Sequence, residues 1–337
     1  MKHNVNPKLS RRQFLAAAAL AGAAATETFH RLGAAESPAP VTSAVEAMPV
    51  IDTHIHLYDP QRPQGVPWPN PENKRLYQTS LPARYRPIAR PLGIVGAIEI
   101  ECSSWLEDNQ WVLDVAARDD IVVGTIGHLV PGARGFGKNL ERFRKNPLFR
   151  GIRCGLERQS GREVNHPEFI ADLEALAEAD LVMDTANPSV SLLADVVRIS
   201  DRVPNLRIVV DHLPQMMPPT EPAAKASYGN SLKEIRGRPQ IYVKVSEVLR
   251  RIGDRIPTDL DFYRPRLDAI LEVFGNDRVL FGSDWPNSDQ WLPVPVGFKL
   301  VQDYFLNQGR PAAEKFFWRN SLHCYKWIRR NARQPQL

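Results

Sequence analysis

The stretch Val50-Ile51-Asp52-Thr53-His54-Ile55-His56-Leu57 limits the possible folds more than any other part of the chain. β-Branched residues alternate with Asp52, His54 and His56. Read as a strand, its pleat puts both imidazoles on one face, about 7 Å apart. Neutral imidazole is the commonest metal ligand, and two such rings can close on one ion at about 2.0–2.1 Å. The same pattern also suits a strand whose histidines are simply buried and hydrogen-bonded, so the rest of the chain has to decide.

Seven further apolar segments follow, with helical patterns between most of them. Together with the first they predict strands near 50–56, 94–101, 121–127, 149–154, 180–184, 206–211, 240–245 and 278–283. Strands alternating with helices argue for a parallel sheet, and eight such units are the number that closes a (β/α)8 TIM barrel. Asn165-His166-Pro167 opens a helix with a Phe169, Ile170, Leu173, Leu176 stripe, and Asn187-Pro188 opens the next. Asp259 or Asp261 caps the helix that Gly275 ends. Two stretches break the rhythm. Leu57 to Leu92 is long and Pro-rich, a connection that can wall a pocket if the barrel is right, and Pro214 to Tyr228 is irregular. The expected layout is a leader (1–35), a linker (36–48), one barrel domain (49–330) and a tail (331–337).

The leader is read from Ser10-Arg11-Arg12-Gln13-Phe14-Leu15 and the Ala-rich run to Ala25. This resembles a twin-arginine export signal, with cleavage after Ala25 or Ala35, and the run is too short to span a membrane. The expected partners are therefore the twin-arginine export machinery and a small-molecule substrate, and the expected location is periplasmic or secreted. Residues 1–35 carry five basic side chains and one acidic one, so their removal takes the formal charge from +5 to +1. The basicity gives no case for nucleic acid. Cys102 and Cys154 fall on the second and fourth strands, about 9.6 Å apart, beyond the roughly 7 Å that a disulfide tolerates. With Cys324 they read as three buried thiols outside any disulfide framework.

Two more apolar strands end in acids and a histidine: Arg207-Ile208-Val209-Val210-Asp211-His212 and Val279-Leu280-Phe281-Gly282-Ser283-Asp284-Trp285-Pro286. Each polar group falls where a strand runs out. In a barrel those ends share one face, so His54, His56, His212 and Asp284 converge there. Three imidazoles and a carboxylate suit one divalent ion such as Zn²⁺, with a position left open for water.

These residues carry a family likeness. His54-x-His56, Asp211-His212 and Gly282-Ser283-Asp284-Trp285-Pro286 resemble the amidohydrolase superfamily, and its amidohydrolase 2 branch in particular, which includes sugar-lactone and dicarboxylate-lactone hydrolases. Ala97-Ile98-Glu99-Ile100-Glu101, Gly151-Ile152-Arg153, Val243-Lys244-Val245-Ser246 and Asn320 to Tyr325 match more weakly across most of residues 48–328. The resemblance implies a distorted (β/α)8 barrel, with His54, His56, His212 and Asp284 on the metal side and Asp284 as general base. Arg153 and Asp184 stand where binuclear members place a bridging lysine and a further histidine, which argues against a two-metal centre.

Around that set, Arg153 is a candidate fork for a substrate carboxylate, or else a salt-bridge partner of Glu101 or Asp184. Glu101 is a candidate for a sugar hydroxyl or the metal. Trp285 either floors the pocket or packs under the eighth loop, and His128, ending the third strand region, either lines the mouth or is structural, the latter being favoured. The expected activity is hydrolysis of a lactone by an activated water. A nonoxidative decarboxylase of the same superfamily and a noncatalytic periplasmic binding barrel are the competing expectations.

Overall fold

Short runs of Val, Ile, Leu and Phe that are apolar on both pleat faces can be satisfied only by a sheet covered on both sides. In the computed structural model, which describes residues 48–155 and 163–336, they form eight strands. These are β1 (Val50–Ile55), β2 (Ile94–Ile100), β3 (Val122–Gly127), β4 (Phe149–Cys154), β5 (Val182–Thr185), β6 (Arg207–Val210), β7 (Ile241–Val245) and β8 (Val279–Phe281). They pair in parallel in sequence order, so the eight predicted strands are all present and differ by a few residues at their ends. The expected leader and all of the linker but Met48 lie outside the described residues. Among the described residues no helix is long and apolar enough to cross a membrane.

The barrel nearly closes through a seam at the C-terminal ends of β8 and β1. The Asp284 amide donates to the His54 carbonyl and the His56 amide to the Trp285 carbonyl, each at 2.8 Å. Thr53 Oγ1 donates to Phe281 O at 2.6 Å.

Inside the barrel, Ile51, Ile98, Ile100, Val123, Ile126, Val182, Val209 and Leu280 form one cluster, and Trp318, Tyr325 and Trp327 join it from the last helical segment. A larger cluster lies between the strands and the surrounding helices: α1 (Pro82–Ala89), α2 (Asp108–Arg118), α3 (Phe136–Phe143), α4 (Pro167–Glu178), α5 (Val190–Arg202), α6 (Pro222–Arg236), α7 (Leu260–Phe274) and α8 (Val294–Asn307).

Helix α4 starts at Pro167 as expected, and Asp259 rather than Asp261 caps α7, accepting the Asp261 amide at 3.2 Å. Helix α5 departs from expectation. It begins at Val190 because Ser189 Oγ accepts the Leu192 amide, which leaves Asn187-Pro188 in the preceding turn. The irregular stretch after β6 is shorter than expected, since Glu221 caps α6 and places Tyr228 inside that helix. The expected tail is packed: Gln334 is 1% exposed and donates to Val95 O and Asp120 O. None of the three thiols is in a disulfide, and β3 separates the strands that lead to Cys102 and Cys154.

Candidate active site

Simple alternation would put Asp52, His54 and His56 on one face, and the structure corrects this. The β1–β2 pairing slips by one residue between Asp52 and Ile55. Before the slip Ile51 packs inside the barrel and Asp52 reaches outward to the Tyr85 hydroxyl of α1; after it Ile55 belongs to the outer layer, and His54 and His56 face the barrel mouth. A bulge that re-aims a side chain is common beside active sites. Their rings lie 5.0 Å apart, and the His54 ring lies 4.4 Å from that of His212.

His212 and Asp284 lie two and three residues beyond the ends of β6 and β8, with φ of +54° and +58°. A left-handed backbone costs a non-glycine residue roughly 1–2 kcal/mol, and such strain gathers at functional sites. Gly282 is required by crowding: a Cβ there would sit 2.8 Å from the Cβ of His54. All four expected metal-side residues therefore converge, from β1, β6 and β8, and are 5% exposed or less.

Their orientation tests the fit of a metal ion. His56 Nδ1 can only donate to the Ile100 carbonyl at 2.8 Å, so in the neutral ring Nε2 carries a lone pair. That lone pair faces Asp284 Oδ1 at 3.1 Å, and His54 Nε2 faces the same oxygen at 3.4 Å. Neither nitrogen of His54 has a hydrogen-bond partner among the described residues. Burial, reinforced by Arg153, holds His56 down at about 4, and burial keeps His54 and His212 well below the ordinary imidazole range. A divalent ion between these nitrogens and the carboxylate would give His54 the partner it lacks, so the residues present fit such an ion. His212 is fixed by a contact of its Nδ1 with Ser246 Oγ at 2.8 Å, which leaves Nε2 to ligate.

Asp211 also lies near His54, with its Oδ2 3.7 Å from Nδ1. It is already committed to cations. Lys244 Nζ, fully buried, contacts Asp211 Oδ1 at 3.2 Å and Asp184 Oδ2 at 2.5 Å, and Arg153 Nε lies 3.4 Å from Asp211 Oδ2. The Tyr325 hydroxyl donates to Asp184 from below. Arg153 thus pairs with Asp211, not with Glu101 or Asp184 as one reading expected. Asp211 lies behind His54, and three overlapping groups are within reach of an ion: His54, His56 and Asp284; His54, Asp211 and His212; and His212, Glu247 and Asp284.

Above this set lies a cavity of about 630 Å³, lined by His56, Trp68, Glu101, His128, Arg153, His212, Asp284 and Asn287 among others. Trp68 comes from the Pro-rich connection, and its ring sits 5.6 Å from His56. The wall expected of that segment is present. Glu101 lines the cavity 4.0 Å from His128 Nδ1, and His128 lines it too, the less favoured of its two readings. Of the two readings of Trp285 packing holds, and its place among the substrate-binding candidates does not: it is fully buried, packs on Tyr85 at 5.1 Å and does not line the cavity.

The sequence reading missed Glu247 and Asn287. Glu247 follows β7 with φ of +48°, the same backbone device as His212 and Asp284, and its Oε2 lies 3.9 Å from His212 Nδ1. Burial, and then the nearby Asp284 charge, push its carboxyl up to about 9. Asn287 Nδ2 donates to both Glu247 Oε1 and Asp284 Oδ2 at 2.7 Å. The only signal in the sequence was position, one residue beyond Ser246 at a strand end.

Comparison with known proteins bears on this arrangement. An L-fucono-1,5-lactonase of Burkholderia ambifaria is 26% identical over 286 residues, covering 82% of this chain and 95% of that protein. The crystal structure of a zinc-bound amidohydrolase from Burkholderia multivorans superposes with a TM-score of 0.71 at 21% identity, over 83% of this chain and all of that one. A manganese complex of 5-carboxyvanillate decarboxylase from Novosphingobium aromaticivorans shares the fold with a TM-score of 0.61 at 15% identity, over 85% and 98% of the two chains. The amidohydrolase family model (Amidohydro_2) matches residues 51–327, which include every strand end that builds the site. The chain therefore belongs to the amidohydrolase family.

Proposed function

We propose that this protein is a divalent-metal-dependent hydrolase that opens the ring of a lactone, with a sugar lactone as its substrate and Zn²⁺ as its ion. The observation that carries the reading is that His54, His56 and Asp284 lie within ligating reach of one another, with His212 beside His54 and Asp284 in overlapping groups, and that His56, His212 and Asp284 line a cavity large enough for a hydroxylated ring. The likeness to an L-fucono-1,5-lactonase supports the substrate class. We further propose that the chain is exported by the twin-arginine route through residues 1–35.

A divalent ion held by those four residues supplies Lewis acidity toward a carbonyl oxygen and lowers the pKa of water. The side chains do the rest. Asp284 removes a proton from the attacking water as its oxygen bonds to the lactone carbonyl carbon. The tetrahedral centre collapses, the ring C–O bond breaks, and Asp284 returns the proton to the leaving oxygen, giving a hydroxy acid. Arg153, Glu101 and His128 orient the substrate from the cavity wall, and Trp68 excludes water above it.

The test is a panel of lactones, L-fucono-1,5-lactone among them, incubated with zinc-loaded protein and read by proton release. Turnover supports the reading. Carbon dioxide from an aromatic acid without lactone turnover reassigns the protein to decarboxylation, and no turnover of either kind leaves a binding barrel.

A further inference from the structure

We propose that Asn73, Gln290 and Asn287 form a one-directional amide relay through which the Pro-rich cover positions Asp284; as a statement about how the site works, this rests on the hydrolase reading above. Asn73 Nδ2 donates to Gln290 Oε1 at 2.7 Å, Gln290 Nε2 to Asn287 Oδ1 at 2.6 Å, and Asn287 Nδ2 to Asp284 Oδ2 at 2.7 Å. The direction follows from the inner end. Asn287 Nδ2 donates to both Asp284 Oδ2 and Glu247 Oε1, and the ionised Asp284 carboxylate, which can only accept, turns the Asn287 amino group inward. Its carbonyl oxygen then faces outward and accepts only a donor, which sets Gln290, and Gln290 sets Asn73 in the same way. The chain ends where Asn73 Oδ1 accepts the Leu76 amide at 3.3 Å.

The relay divides the work of Asp284. Its Oδ2 is held by Asn287, which leaves Oδ1 toward His54 and His56. The outer end of the relay belongs to the same connection that carries Trp68 over His56. Arg75 Nη1 ties that connection to the Asp289 and Gln290 carbonyls at 3.0 and 3.2 Å. Seating the cover and aiming the carboxylate are thus one event. Asn73 and Gln290 are positioning residues, acting through Asn287.

The decisive variant is isosteric. Gln290→Glu keeps the acceptor for Asn73 but sets a carboxylate oxygen against Asn287 Oδ1, which forces Asn287 to flip and present its oxygen to Asp284. Gln290→Ala only removes the link. The experiment uses full-length zinc-loaded protein and L-fucono-1,5-lactone, with zinc affinity measured on the same variants by competition with a chelating dye. Gln290→Glu is expected to lose at least about tenfold more kcat than Gln290→Ala and to bind zinc more weakly, with KM little changed. Asn73→Ala combined with Gln290→Ala is expected to be no worse than Gln290→Ala alone. If Gln290→Glu does not fold, Asn73→Asp against Asn73→Ala poses the same question one link further out, with Asn73→Asp the weaker enzyme. Equal or better kcat and zinc binding for the acidic variants overturns the relay. A wild type that turns over no lactone overturns the proposed substrate instead, and the order of zinc affinities still decides the relay.

Discussion

The backbone amide of Asp284 donates to the carbonyl of His54 at 2.8 Å, so the first and last of the converging site residues are joined through their main chains at the barrel seam. The relative placement of their side chains is fixed by sheet closure and does not depend on a flexible loop. Asp52 reinforces the seam from outside: its Oδ1 accepts the Ser283 amide at 2.8 Å and the His54 amide at 3.1 Å, and its Oδ2 accepts the Tyr85 hydroxyl at 2.6 Å.

Replacing Asp52 by Ala is therefore expected to damage the site without touching it. The buried Tyr85 hydroxyl and Ser283 amide lose their acceptor, at a cost of about 3 kcal/mol. Denaturant unfolding reads that cost directly, and zinc affinity should fall with it. Unchanged stability would mean that β8 and β1 hold together without the carboxylate.

Asp284→Asn keeps the shape of the side chain but cannot take a proton. Loss of a general base lowers kcat by about 10²–10⁴-fold. Steady-state kinetics on the zinc-loaded variant measure the loss, with circular dichroism to show that the barrel is intact. Near-normal turnover removes Asp284 from the chemistry.

Chelation is expected to abolish activity and lower the melting temperature, and zinc to restore both. An ion that binds only the folded chain stabilises it by about 4 kcal/mol at a thousandfold excess over Kd. A melting temperature indifferent to chelator and added zinc contradicts the metal centre.

Glu99 supplies a pH dependence away from the metal ligands. It is 1% exposed, its Oε1 has no hydrogen-bond partner among the described residues, and its carboxyl is raised well above the ordinary 4.5 by burial and then by the charge of Glu101. The folded chain keeps the proton that the unfolded chain releases near 4.5. Stability therefore falls as pH rises above that value, by about 1.4 kcal/mol per pH unit while Glu99 stays protonated. Glu99→Gln should remove this slope and make the protein more stable at pH 8 than the wild type. Parallel stability–pH curves for the two proteins would refute the assignment.

The barrel was legible because parallel strands covered on both faces read as apolar runs, and the runs ending at Val210 and Phe281 delivered His212 and Asp284 to the same rim. His54 and His56 were legible as a pair, but the bulge that aims them was not, since a register slip depends on the neighbouring strand. Glu247 carries no motif and matters only because its strand end meets two others. Lys244 looked like one more charge on a strand; only the barrel interior, with Asp184 and Asp211 facing it, makes it a buried counter-ion. Asp211 read as half of an Asp-His motif, and its ties to Lys244 and Arg153 appear only once β4, β6 and β7 are side by side. Trp285 had the right motif and the wrong face, because the turn after β8 sends it under Tyr85.

The most direct test of the central claim is an anomalous-scattering map, at the zinc edge, from crystals of the zinc-loaded protein. One strong peak bounded by His54, His56, His212 and Asp284 is expected, with Asp211 still paired to Lys244. A peak elsewhere, or none at those four side chains, would contradict it.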